Sequence, residues 1–152
     1  MYSAKTAADA GRRADRRDID DKRRERAGRA LAFTGAVVDA STYGGTFATL
    51  QREGLRRRLV TPRAEEELRL VTWRELSGAA SAAARALQHI RYADDDFLSQ
   101  AEELFRATLE IVQDAASGEV EAVEAKSELI GSKARDLERI VKQQDPRSLV
   151  GG

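Results

Sequence analysis

The sequence predicts an all-α protein: long helices forming a helical hairpin, followed by coiled-coil-like C-terminal helices, in an oligomeric assembly. Three observations predict it. Charged residues make up 34% of the 152 residues, yet there are only two prolines, so long stretches can run as helix without interruption. Apolar residues recur at alternating spacings of three and four in the second half of the chain. Aromatic residues are few, four Phe, three Tyr and one Trp, and much of the apolar content is alanine. Alanine buries little area per residue, so an isolated core would be thin and the helices are expected to pack on partners.

Residues 5–30 favour helix but show almost no apolar face. Acids stand four residues ahead of bases in Asp9–Arg13, Asp18–Lys22, Asp20–Arg24 and Glu25–Arg29, an order that supports a helix by a few tenths of a kcal/mol per pair. Without a buried stripe, such a segment is either a solvated helix or a disordered arm.

Helix continues through Leu31, Phe33, Val37 and Val38 to the stretch "DASTYGG". Ser and Thr compete for backbone hydrogen bonds, and the Gly44–Gly45 pair can adopt positive φ, so a hairpin turn is expected here. Thr46 then caps a second helix carrying Phe47, Leu50, Leu55 and Leu59, and Gly35 lets the two backbones approach. A flexible loop is the plainer reading of the same residues. The stretch 30–50 has the length of a membrane span, but Asp39, three glycines and several Ser/Thr argue against a standalone transmembrane helix.

The next helix start is sharper. In "VTPRAEEELRL", Thr61 is an N-cap, Pro62 occupies the first helical position, and Glu65, Glu66 and Glu67 suit the positive helix end. Trp73, Leu76, Ala80, Ala83, Leu87 and Ile90 follow at three-four spacing, a seam that wants another helix. Asp94 or Asp95 caps the next helix, whose broad stripe from Phe97 to Val112 is the best candidate for true core. "DAASGE" breaks it. The last helix carries Val120, Val123, Ser127, Ile130, Ala134, Leu137 and Val141, three heptads of narrow seam, and Asp145–Pro146 ends it. No clear strand emerges; "GAVVDA" is the only short rival. The expected organisation is a basic arm with a Gly/Ala turn over 1–60, a coiled-coil-like region over 61–145, and a tail over 146–152.

The formal net charge of zero conceals an asymmetry. Residues 1–63 hold fifteen Lys/Arg against eight Asp/Glu, a net +7; residues 64–152 hold eleven against eighteen, a net −7. The basic half suits nucleic acid, acidic lipid or the acidic half of a neighbouring copy. Arg12, Arg13, Arg16, Arg17, Arg23, Arg24, Arg56, Arg57 and Arg58 are the candidate anion contacts. Interleaved acids weaken that field, and no aromatic residues alternate with the arginines to stack on single strands.

No catalytic constellation is predicted, and no cofactor or metal. There is no cysteine, and the single histidine, His89, lacks companions at ligand spacing. "DDD" at 94–96 does not space its oxygens as a calcium loop does and reads better as a helix cap. Gly44–Gly45 lacks the Lys-Ser/Thr that completes a phosphate loop. No apolar leader precedes a cleavage site, so no signal peptide is expected.

Over residues 2–76 the segments "MYSAKTAADAGRR", "RRERAGRALAFTGAVVDASTYGGTFATL" and "AEEELRLVTWRE" resemble the small internal virion proteins of short-tailed phages, which act in DNA ejection. The resemblance implies a helical, non-enzymatic virion protein in the capsid interior or portal and tail region. It also implies copies that self-associate beside portal or tail components, nonspecific DNA contact, and a channel reaching the host envelope membrane after ejection. The family turn commonly has Gly, then Ser/Thr, then Pro; here Phe47 follows Gly45–Thr46. In that reading Trp73, Leu76, Leu87, Ile90, Val120, Val123, Ile130, Leu137 and Val141 form the oligomer seams. The alternative is a non-enzymatic coiled-coil adaptor or scaffold with DNA contact through the basic arm.

Overall fold

A computed structural model describes residues 4–57, 61–91, 93 and 95–144. It is all-helical: α1 (Ala4–Arg57), α2 (Pro62–Gln88), α3 (Asp95–Ala116) and α4 (Val120–Gln144). Thr61 caps α2, with Ala64 N–H donating to its Oγ1 at 3.3 Å, and Pro62 opens the helix as its sequence requires. Asp95 and Asp96 stand in the first turn of α3. That helix ends in a Schellman motif. Gly118, at φ 75°, donates to the Ala115 carbonyl at 3.2 Å, and Glu119 donates to Asp114 at 2.9 Å.

Short connections join the helices into an antiparallel bundle. The ring order is α1, α2, α3, α4, with α1 also touching α3 across the middle. The direction of α4 against α1 is set by three meetings: Arg52 pairs with Glu124, Gly44 faces Ser127, and Ser41 faces Gly131. As α1 descends, α4 rises. Lys126 of α4 likewise reaches back to Asp114 and Glu110 of α3.

The core is shared by all four helices and the turn after α2: Phe33, Val37 and Phe47 of α1; Leu76 of α2 with Ile90 of the turn; Leu104 and Ile111 of α3; Val123, Ile130 and Leu137 of α4. It draws on residues both before and after position 60. Residues 146–152 lie outside the described residues.

The expected hairpin turn is absent. Residues 40–46 are helix, and α1 runs through them without a break. Neither Gly44 nor Gly45 adopts positive φ; among the described glycines only Gly118 does. Thr46 is no cap: its hydroxyl donates to the Thr42 carbonyl, as Thr42 donates to Val38 and Thr49 to Gly45, each at 3.0 Å. The hydroxyls expected to compete with helix find their acceptors in the helix itself. A helical glycine costs about 1 kcal/mol, and the packing of α4 on this face offsets it.

The two seams also differ from expectation. Leu76, Ile90, Val123, Ile130, Leu137 and Val141 are buried, while Trp73, Leu87 and Val120 are half-buried. They bury against helices of the same chain. A seam at three-four spacing requires a neighbouring helix, and the bundle supplies one within the chain.

Candidate functional site

The long first helix divides into two halves of different character. From Ala27 to Ala48 it carries the buried residues Phe33, Thr34, Ala36, Val37, Ala40 and Phe47. From residue 7 to residue 26 every side chain is exposed except Asp20, which is half-buried. The antiparallel register explains the boundary. With Ser41 opposite Gly131, the end of α4 near residue 144 lies level with about residue 28 of α1. The segment beyond it therefore extends as a helix for about 30 Å at 1.5 Å per residue.

One face runs through both halves. Arg12, Arg16, Ile19, Arg23, Arg26, Ala30, Phe33, Val37, Ala40, Gly44 and Phe47 follow at alternating spacings of four and three. In the second half this face is the buried centre of the bundle. In the first half it is an exposed row of four arginines around Ile19, which is 51% exposed. The sequence reading missed this series because arginines at seam positions read as a solvated face; only the continuation into Phe33 and Val37 reveals it.

Intrahelical ion pairs lie beside this row. Lys22 pairs with Asp18 at 3.4 Å, and Arg29 pairs with Glu25. Among the described residues no ion pair takes Arg12, Arg16 or Arg23. Arg13, Arg17 and Arg24 are exposed on a neighbouring face of the same arm. The side chains of Arg56 and Arg57, and all of Arg58, lie outside the described residues, so the nine candidate arginines do not form one described surface.

The second feature is the crossing of α1 on α4. A methyl group at Gly44 would press on the Ser127 hydroxyl and stand 3.2 Å from Ser127 Cβ and 3.3 Å from Ile111 Cγ2. One at Gly131 would press on Ser41 Oγ and stand 3.2 Å from its Cβ. Each helix thus offers a glycine to the other's serine. Ser41 Oγ donates to the Ser127 carbonyl at 2.6 Å, fixing the register. Gly35 and Gly45, grouped with Gly44 as turn residues by sequence, have no such neighbour. This crossing is a packing device.

Two apolar depressions mark the surface. One, at the α2 start, is lined by Phe47, Leu70, Trp73 and Ala115 with Arg63 and Glu66 at its rim, and the Trp73 indole N–H is buried without an acceptor. The other is a groove of about 310 Å3 between α3 and α4. His89 is exposed. Among the described residues no three His, Cys, Asp or Glu side chains stand together at metal-binding distance, and no helix is long and apolar enough to cross a membrane.

Compared with protein-family models, with curated proteins and with solved structures, the chain matches none.

Proposed function

We propose that the chain is a non-enzymatic assembly protein whose four-helix body mounts a projecting basic arm. The single observation that carries this reading is the first helix: one half is the centre of the core, and the other leaves it with no apolar face of its own. A helix of that kind gains little stability alone and is suited to lie on another surface.

The setting we propose is the virion of a short-tailed phage, near the portal or tail, where copies help line the DNA exit path. The likeness of residues 2–76 to internal virion proteins supports it. The long continuous helix replaces the hairpin in this picture: what lines or braces a channel is a rod of about 80 Å, not a turned pair. Mass spectrometry of purified particles tests the setting. Recovery of the chain at a defined stoichiometry is expected, and its absence from particles eliminates the virion.

The closed core favours a second reading, a cellular adaptor or scaffold, because a body that buries its own seams needs no particle to fold. That reading predicts a small discrete complex in cell extracts without virions. Nonspecific DNA contact through the arm is compatible with either, and predicts affinity that falls steeply with salt.

A further inference from the structure

We propose that the arginine row of the arm docks into the α3–α4 groove of a second copy of this chain. The proposal rests on the reading of the chain as an assembly protein, and it names the surfaces by which copies meet. Arg12, Arg16, Ile19, Arg23 and Arg26 continue, in register, the face that α1 buries in its own bundle. The helix therefore presents one packing face that is buried in its second half and on which Arg12, Arg16, Ile19 and Arg23 are exposed in its first.

The chemistry of that row selects its partner. Two arms cannot zip along it, because arginine would face arginine. It requires an acidic surface with an apolar centre. The α3–α4 hairpin, residues 95–144, holds twelve Asp/Glu against six Lys/Arg. Its outer groove carries the apolar residues that Ile19 lacks in its own bundle: Leu129, 56% exposed, and Ile140, 41% exposed, above Leu104 and Leu137. Glu103 and Asp136 line the same groove, with Lys133 the one base among the lining residues. Asp136 holds only a surface contact with Arg139 at 3.5 Å, an exposed pair of small worth. The hairpin helices, at 22 and 25 residues, are about as long as the arm.

Duplex DNA is the competing occupant and fits less well. Phosphates offer nothing to Ile19, and Asp15, Asp18 and Asp21 on the same arm would repel them. Because arm and groove are different surfaces, the contact is either reciprocal within a two-fold pair or head-to-tail along an open chain.

The test is sedimentation velocity on the full chain across micromolar to millimolar concentration. The variants are Arg16→Glu/Arg23→Glu on the arm, Glu103→Lys/Asp136→Lys on the groove, and Ile19→Ser, with helicity checked by circular dichroism. Wild type should self-associate in a salt-sensitive manner. Each charge-reversed variant should weaken that association by about tenfold or more, as should Ile19→Ser. Mixing the two charge-reversed variants should restore it, because each reversed arm then meets a groove of opposite sign. A wild type that stays monomeric, or a mixture that fails to reassociate, overturns the proposal. So does self-association that is absent until short duplex DNA is added and lost with the arm variant. None of these outcomes depends on whether the chain is found in particles, so the virion setting stands or falls separately.

Discussion

Gly44 of α1 and Ser127 of α4 meet so closely that the serine hydroxyl, buried and without a hydrogen-bond partner, lies where a side chain on residue 44 would begin. The pair predicts opposite outcomes for two adjacent glycines. Gly44→Ala gains helix propensity, worth up to about 1 kcal/mol, but forces Ser127 and Ile111 apart, which costs about 1–3 kcal/mol. We expect a net loss in urea denaturation. Gly45 has open space around its Cα, so Gly45→Ala should stabilise by about 0.5–1 kcal/mol. A lower midpoint for Gly45→Ala would mean that the backbone here is not helical.

Ser127→Ala makes the coupling measurable. The hydroxyl it removes has no acceptor in the bundle, so the single change should be close to neutral or mildly stabilising. Removing it also clears part of the space that Gly44→Ala needs. The double variant should therefore be more stable than the sum of the singles by about 0.5 kcal/mol or more. Strict additivity in a double-mutant cycle would contradict the contact.

These residues mark what could be read from the sequence. Thr61–Pro62, the break before Gly118 and the series from Val120 to Val141 carry their signals locally, so helix starts, stops and faces were legible. Gly44–Gly45 was not, because glycine serves both a turn and a close helix approach, and the choice depends on Ser127, far downstream. The seams were legible as seams, yet spacing says that a helix is met and not whose helix it is. The arm's face was hidden for a related reason: four of its five seam positions are arginine.

The reciprocal side of the crossing gives a third prediction. Ser41→Ala removes the hydrogen bond to the Ser127 carbonyl and should cost about 0.5–1.5 kcal/mol. Gly131→Ala should cost more, because its methyl displaces Ser41 Oγ from that bond and also crowds Ser41 Cβ. Calorimetric melting midpoints in the order wild type, Ser41→Ala, Gly131→Ala would bear this out; a Gly131→Ala protein as stable as wild type would not.

Lys126 supplies a pH dependence. Its hydrogen bond to Asp114 at 2.7 Å, reinforced by the charges of Asp114 and Glu110 and partly opposed by desolvation, raises its pKa above 10.5. A base whose folded pKa is raised contributes stability that is complete below its unfolded value and disappears as pH climbs through the folded one. The difference in melting midpoint between wild type and Lys126→Met should therefore be constant through neutral pH and shrink above about 10.5. A difference that widens with alkali would reverse the sign and refute the pairing.

The last prediction tests whether one helix holds two stabilities. Amides in residues 33–48 are part of the core and should open only when the bundle does, at a cost of about 5 kcal/mol or more. Side chains in residues 7–26 are exposed except half-buried Asp20, and their intrahelical ion pairs contribute about 0.2–0.5 kcal/mol each. Short helices without packing are marginal in water, so the arm should open at about 1 kcal/mol or less and exchange roughly a thousandfold faster than the core half. Hydrogen exchange read by mass spectrometry resolves the two segments in one experiment. Uniform protection from residue 7 to residue 48 in dilute solution would show that the arm is held by its own bundle after all. Protection of the arm that rises with protein concentration is instead what docking on a second copy requires.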